Sequence, residues 1–353
     1  MGAIAAKAVV LAVAGALLVL TSGAQAQAPS GTASGLSSQI QSQPQSQLQA
    51  QPLADSKLLL QIQRAAHSLN YAGVFTYQQG GAIESSRLAH GFDGQNETEK
   101  LELLDGPARE YLRHNEDVQC LIPEQKTVLL EKQRGDRFPG LLLSDTQSID
   151  ANYSVRPLAQ PMRVAGRTCQ LIDVVARDAA RYGYRLCADI ETGLLLKAQT
   201  INADGRVIEQ VAFTEIAIGS SIAKNLLQPS WSIAGWNVLE PVQKTVDLKS
   251  LGWNIQPPAG FAPTSQLQQL FSENKVVHQM VLSDGLATIS IFIEPYLNER
   301  SDYKPLGAAQ VGSVNLYGVK IANFWLTVLG EVPASTLEKF AQSIQYAPGV
   351  ASK

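Results

Sequence analysis

Apolar and polar positions along this chain fall into four regimes. The first is an unbroken apolar run, Ala8 to Leu20, preceded by a single charge at Lys7 and followed by Ala24-Gln25-Ala26. The second, Gln27 to Gln51, is built from Gln, Ser, Pro and Gly with almost no aromatic or charged residue. Such a composition cannot repay the entropy of ordering, so it predicts a flexible tether, with a partner-binding low-complexity arm as the functional alternative. The third begins at Asp55, a residue suited to an N-cap, after which Leu58, Ile62, Ala65 and Leu69 recur at helical spacing. From Tyr71 to about Ile218 the pattern shortens to β-prone runs such as YAGVFTYQ, KLELLD, DVQCLI and RVIEQVAFTEI. Asp-Gly pairs at 93–94, 105–106 and 204–205 punctuate these runs and favour tight hairpins, which predicts an antiparallel meander. The stretch Phe138 to Asp145 is expected to interrupt it as a short helix or lid.

The fourth regime follows an irregular connection holding Pro229, Trp231, Gly235, Trp236 and Pro241. Lys275 to Glu294 reads as a hairpin about Asp284-Gly285, and Ser313 to Gly330 as two or three further strands. Pro333 suits a first helical position, and Leu337, Phe340, Ala341 and Ile344 form the buried stripe of a closing helix. The fold class is therefore α+β and mainly β. The expected division is 1–26 leader, 27–52 tether, 53–220 large N-terminal domain, 221–244 linker and 245–347 smaller mixed C-terminal domain.

The leading apolar run is 13 residues long, short of the ~18 to 20 that span a bilayer. With its small-residue cleavage pattern it reads as a cleaved secretory signal peptide rather than an uncleaved anchor. Removing Lys7 with it takes the formal net charge from -3 to -4, which offers no basic field for nucleic acid. With 45% hydrophobic and 17% charged residues, the remainder can bury ordinary cores.

An oxidising compartment changes how the three cysteines are read. Cys169 and Cys187 flank a charged centre at Arg177 to Ala179. If the two strands pair so that residue numbers sum to 356, Ile172 faces Tyr184, Val174 faces Tyr182 and Cys169 faces Cys187. A disulfide is the favoured outcome, with two buried thiols or a redox-active pair as the alternatives. Cys120 reads as a small buried apolar residue.

Catalytic chemistry finds no foothold. His67, His90, His114 and His278 are scattered without metal-ligand spacing, and there is no C-x-x-C, G-x-S-x-G, G-x-G-x-x-G or phosphate loop. No catalytic residue, metal or cofactor is assigned. What remains is a β surface whose apolar face, with the Leu58 to Leu69 helix and Phe138, Leu141 and Leu142 against it, either forms a filled core or admits an acyl chain or extended peptide. Trp231, Trp236, Trp253 and Phe261 gather around the linker, either to anchor a partner or to pack the two domains together.

Several stretches resemble the RseB/MucB family of periplasmic sigma-E regulators: LLDGPAREYLR (Leu103 to Arg113), Val164 to Lys197 with its A-R-D-x-x-R-Y-x-Y core, WNIQPPAGF (Trp253 to Phe261), LSDGLATISIFIE (Leu282 to Glu294) and VLGEVPASTLEKFAQSI (Val328 to Ile344). The likeness runs in order from about Ser56 to Tyr346. It implies a LolA/LolB-like unclosed β-barrel with helices, joined to a smaller mixed domain. It also implies a periplasmic negative regulator of the envelope stress response that binds the periplasmic part of an RseA/MucA-type anti-sigma factor and shields it from site-1 proteolysis. Lipopolysaccharide or lipoprotein acyl chains are the implied release signal, and a homodimer is compatible with the family. A periplasmic lipid or lipoprotein carrier is the rival reading.

Overall fold

The computed structural model describes residues 56–132, 138–140, 146–219, 222–272, 275–296, 306–311 and 313–347. The segments read as leader and tether lie outside these residues, as do Leu141 and Leu142.

Helix α1 (Ser56–Ser68) opens the fold and leads into strands β1 (Tyr71–Gln79), β2 (Ala82–Phe92), β3 (Glu97–Leu103), β4 (Glu110–His114), β5 (Asp117–Ile122) and β6 (Thr127–Lys132). After α2 (Thr146–Asn152) come β7 (Tyr153–Pro157), β8 (Met162–Val164), β9 (Arg167–Ala176), β10 (Gly183–Asp189), β11 (Leu195–Ile201) and β12 (Val207–Ile218). The connection contributes two short edge strands, β13 (Asn237–Leu239) and β14 (Val242–Thr245). Then follow β15 (Trp253–Asn254), β16 (Ala262–Ser272), β17 (Lys275–Ser283), β18 (Thr288–Pro295), β19 (Gly307–Val311), β20 (Val314–Ile321), β21 (Phe324–Gly330), α3 (Ala334–Ser343) and β22 (Gln345–Tyr346).

Thirteen strands form the first sheet, in the order β13-β6-β5-β4-β3-β2-β1-β12-β11-β10-β9-β7, with β8 on β9. Its ends, β13 and β7, are not paired with each other among the described residues, so the sheet is unclosed. The Asp-Gly pairs at 93–94, 105–106 and 204–205 sit in the β2–β3, β3–β4 and β11–β12 connections, as their turn preference predicts. One face carries the first core: Phe75, Leu88, Leu101, Ile172, Leu186 and Val211, with Leu59 and Ile62 of α1 laid over it. Phe138 stands in this core, its ring 5.3 Å from Phe75 and 4.9 Å from Phe213.

The second sheet has seven strands, ordered β14-β16-β17-β18-β21-β20-β19. Its core joins Leu282, Ile289, Ile291 and Val328 to Leu337, Phe340 and Ala341 of α3. Pro333 stands one residue before the helix, at its N-cap. Between the sheets the chain needs only Glu240 and Pro241 to pass from β13, parallel to β6, to β14, antiparallel to β16.

The β9–β10 pairing corrects the expected register. Tyr184 faces Val174, Leu186 faces Ile172 and Asp189 faces Cys169, so residue numbers sum to 358 and not 356. A slip of two keeps every side chain on its face, so alternation alone could not detect it. The turn decides: the Asp178 carboxylate accepts from the Ala180 N–H at 2.9 Å, and Arg185 comes directly opposite Asp173, with its Nε 2.6 Å from Asp173 Oδ1. Cys169 and Cys187 are consequently diagonal neighbours, and they are joined as a disulfide, both fully buried. Cys120 is buried and takes no part in the disulfide.

Candidate functional site

The β9–β10 turn, Arg177 to Tyr182, points at the second sheet. Arg177 holds its base, its Nε donating to the Asp150 and Tyr153 carbonyls at 3.1 and 3.0 Å. Asp178 then fixes Arg181 through two hydrogen bonds, at 3.0 and 3.1 Å. From this position Arg181 reaches out of the first sheet: its Nη1 lies 2.7 Å from Asp284 Oδ2 and its Nη2 donates to the Ala259 carbonyl at 2.6 Å. Neither Arg181 nor Asp284 exposes any side-chain surface.

Asp284 is saturated from both sides. Its Oδ1 accepts from the Leu286 and Ala287 N–H groups of its own turn, at 3.0 and 2.8 Å. Its Oδ2 accepts from Arg181 and from the Tyr153 hydroxyl at 2.8 Å. The Asp-Gly pair predicted to make a hairpin thus also carries the carboxylate that receives the first sheet's arginine. Leu286, next in the turn, packs onto the first core. Arg181 lies over the rings of Tyr153 and Phe261, 5.7 and 5.1 Å from their centroids. Gly260, with φ at +81°, must remain side-chain-free, since a Cβ there would collide with Asn152 Oδ1 and the Arg181 guanidinium.

Two further contacts complete the boundary. Asn315 of β20 donates from Nδ2 to the Tyr182 hydroxyl at 2.9 Å and to the Val332 carbonyl at 2.8 Å. The Thr336 hydroxyl at the start of α3 donates to the Ala180 carbonyl at 3.0 Å. Beside them the inner face of the first sheet ends in a polar row: Tyr184, Thr200, Glu209 and Gln79 face one another across β10, β11, β12 and β1. The Ser313 hydroxyl, from the second sheet, donates to Glu209. Burial, with Glu331 adding to it, pushes the Glu209 carboxyl up to about 8. Burial also raises Glu331, Tyr77 and Tyr184.

The connection itself is clamped to the outer face of the first sheet. Lys100 and Glu110, 2.9 Å apart and nearly sealed from solvent, hold residues 228–230 between them. Lys100 Nζ donates to the Gln228 carbonyl and the Ser230 hydroxyl, and Glu110 accepts from the Ser230 N–H, at 3.0, 2.7 and 3.0 Å. Trp231 follows at once, half-buried, its ring 6.5 Å from the half-buried Trp236. Val238, Leu239 and Val242, just beyond, are more than 45% exposed.

Of the residues singled out in the sequence, Phe138 lies in the first core, Trp253 packs on Phe324 and Tyr346 in the second, and Phe261 lies under Arg181 at the boundary. Trp231 and Trp236 sit together on the clamped connection; Leu141 and Leu142 are outside the described residues. Sequence reasoning missed Arg181, Asp284, Tyr153, Glu209, Asn315 and Glu331. The signal was present in A-R-D-x-x-R-Y-x-Y, L-S-D-G and P-P-A-G-F, three stretches that carried the family resemblance and that meet at one place. Among the described residues no group of three or more His, Cys, Asp or Glu could hold a metal ion, and no helix is long and apolar enough to cross a membrane.

Comparison with known proteins fits this layout. Residues 54–231 match the MucB/RseB N-terminal domain and residues 247–345 the MucB/RseB C-terminal domain. The chain is 29% identical over 304 residues to the sigma-E factor regulatory protein RseB of Salmonella typhimurium, covering 83% of this chain and 91% of that protein. It is 30% identical over 295 residues to the sigma factor AlgU regulatory protein MucB of Pseudomonas aeruginosa, covering 82% and 90%. The crystal structure of MucB in complex with MucA(peri) superposes with a TM-score of 0.64 at 26% identity, covering 84% of this chain and all of that one.

Proposed function

The chain belongs to the MucB/RseB family, and from that premise we propose that it is a sigma-factor regulatory protein that binds the periplasmic segment of an RseA/MucA-type anti-sigma factor. The observation that carries this reading is the likeness to a MucB captured with MucA(peri), which extends over both sheets. In the finer reading, residues 53–220 and 245–347 act as two domains in the periplasm. Together they grip an extended partner segment and keep a site-1 protease from it, and an acyl chain or lipopolysaccharide releases the grip by favouring another arrangement of the two. A ligand can do this only through its difference in affinity for the two arrangements.

The boundary supports such a mechanism because it is polar. An apolar interface would hold domains by area alone, whereas buried ion pairs and single hydrogen bonds specify one arrangement and add little net adhesion. Trp231 and Trp236, on a connection clamped by Lys100 and Glu110, are the proposed partner contacts, beside the exposed Val238, Leu239 and Val242. The protein is read as performing no bond-making of its own. The rival carrier reading finds the described part of its inner face already filled by Phe75, Phe138 and Phe213 with α1 over them.

Titration calorimetry of the mature protein with the anti-sigma periplasmic domain tests this. Saturable binding is expected. Absence of binding, combined with recovery of acyl chains from the purified protein, would favour the carrier.

A further inference from the structure

Beside the Arg181–Asp284 pair, whose charges cancel, lies a part of the boundary where they do not. Glu209 projects from the first sheet and Glu331 follows the last residue of β21 in the second; they are 2% and 3% exposed. Each acts electrostatically on the same group, the Tyr77 hydroxyl, and Glu331 acts on Glu209 itself. The described groups beside them are neutral hydroxyls: Ser313 and Tyr77 bond to Glu209, while Tyr184 and Thr200, the latter directly opposite Glu209, make no hydrogen bond to it. Arg181, the cation of the boundary, is committed to Asp178 and Asp284. Glu209 Oε1 and Glu331 Oε1 are both buried without a hydrogen-bond partner. An ionised carboxylate so placed would forfeit its hydration with only neutral hydroxyls in return, whereas a protonated one forfeits far less.

We propose that Glu209 and Glu331 form a proton-binding latch between the two sheets, docked while the carboxyls carry their protons and loosened when they ionise. The sign follows from burial. The docked form holds its proton more tightly than the separated form, where Glu209 returns to the ordinary 4.5. Docking is therefore strongest below 4.5 and weakens as pH rises, the loss being complete once pH passes about 8. Each proton taken up on docking lowers the docked-to-open ratio about tenfold per pH unit across its window, so Glu209 alone sets a slope of about tenfold and Glu331 adds to it. Asp284 and Arg181 face the same boundary as a buried ion pair, and burial raises Tyr153 well above its ordinary range. The latch would make the arrangement of the sheets respond to the pH of the surrounding compartment, independently of any partner.

The test is hydrogen exchange on the mature wild-type protein from about pH 5 to about pH 9. After correction for intrinsic exchange, opening at the Asn315 side-chain amide, which donates across the boundary to Tyr182, should grow at least about tenfold per unit and level off above the window. Glu209→Gln, which keeps shape and hydrogen bonding without the charge, should flatten that slope. A carboxylic-acid infrared band, present in the wild type at neutral pH and lost on alkalinisation, gives a second readout that needs no variant. A pH-independent opening constant, or no acid band at neutral pH, would overturn the proposal.

Discussion

The two ends of β1 handle carboxylates in opposite ways. At its start, where Tyr71 faces His90, Glu97 accepts from Arg113 Nη1 at 2.8 Å and from His67 Nδ1 at 2.8 Å. Burial alone would raise Glu97, but His67 and Arg113 overcome it and hold it below 4.5. At its far end, where Gln79 faces Glu209, the second sheet supplies another carboxyl in place of a cation, and Glu209 rises to about 8. A half-buried carboxylate beside cations and a fully buried one beside another carboxyl thus respond to pH in opposite ways. The end covered by α1 is built to stay charged and closed; the end covered by the second sheet depends on a proton.

The most severe way to break this contrast is to remove the one compensated pair at the boundary. Asp284→Ala takes from Arg181 its buried partner, leaving only the exposed Asp178, and should cost ~3–5 kcal/mol in denaturant unfolding. Replacing both residues, Arg181→Met with Asp284→Leu, should recover much of that loss, because the charge left over, Asp178, is exposed to solvent. Next comes the disulfide: reducing Cys169–Cys187 should cost about 3 kcal/mol for a loop of this size. Alkylation of the unfolded protein should then label Cys120 alone before reduction and all three cysteines after it.

Smaller still is Thr336→Val, which deletes one hydrogen bond across the boundary and should cost ~1 kcal/mol. Smallest is the acid counterpart of the latch. The stability Glu97 contributes is present above 4.5 and is lost as pH falls through its lowered value. Glu97→Gln should therefore flatten the acid limb of a stability–pH curve and leave the alkaline limb, set by Glu209, unchanged.

These outcomes also separate what was legible in the sequence from what was not. Asp-Gly pairs, strand alternation and the Leu337, Phe340, Ala341 and Ile344 stripe act over a few residues, and they located the hairpins and the closing helix. The disulfide was legible for the same reason, although period-two alternation could not distinguish two registers differing by two. Arg181 and Asp284 lie 103 residues apart, and in sequence each looks like an ordinary turn charge. Only the fold shows that the turn holding one meets the turn holding the other. Trp253 and Phe261 were noticed for their size, yet both lie in the second core, where local sequence cannot distinguish an anchor from filling.

The central claim is that this protein acts by holding a partner with its two sheets in one arrangement. The most direct measurement is the rate at which a site-1 protease cleaves the anti-sigma periplasmic segment with and without the mature protein. Slowed cleavage, restored to the free rate by an excess of competing partner peptide, is the predicted result. Cleavage at the same rate whether or not the protein is present would contradict it.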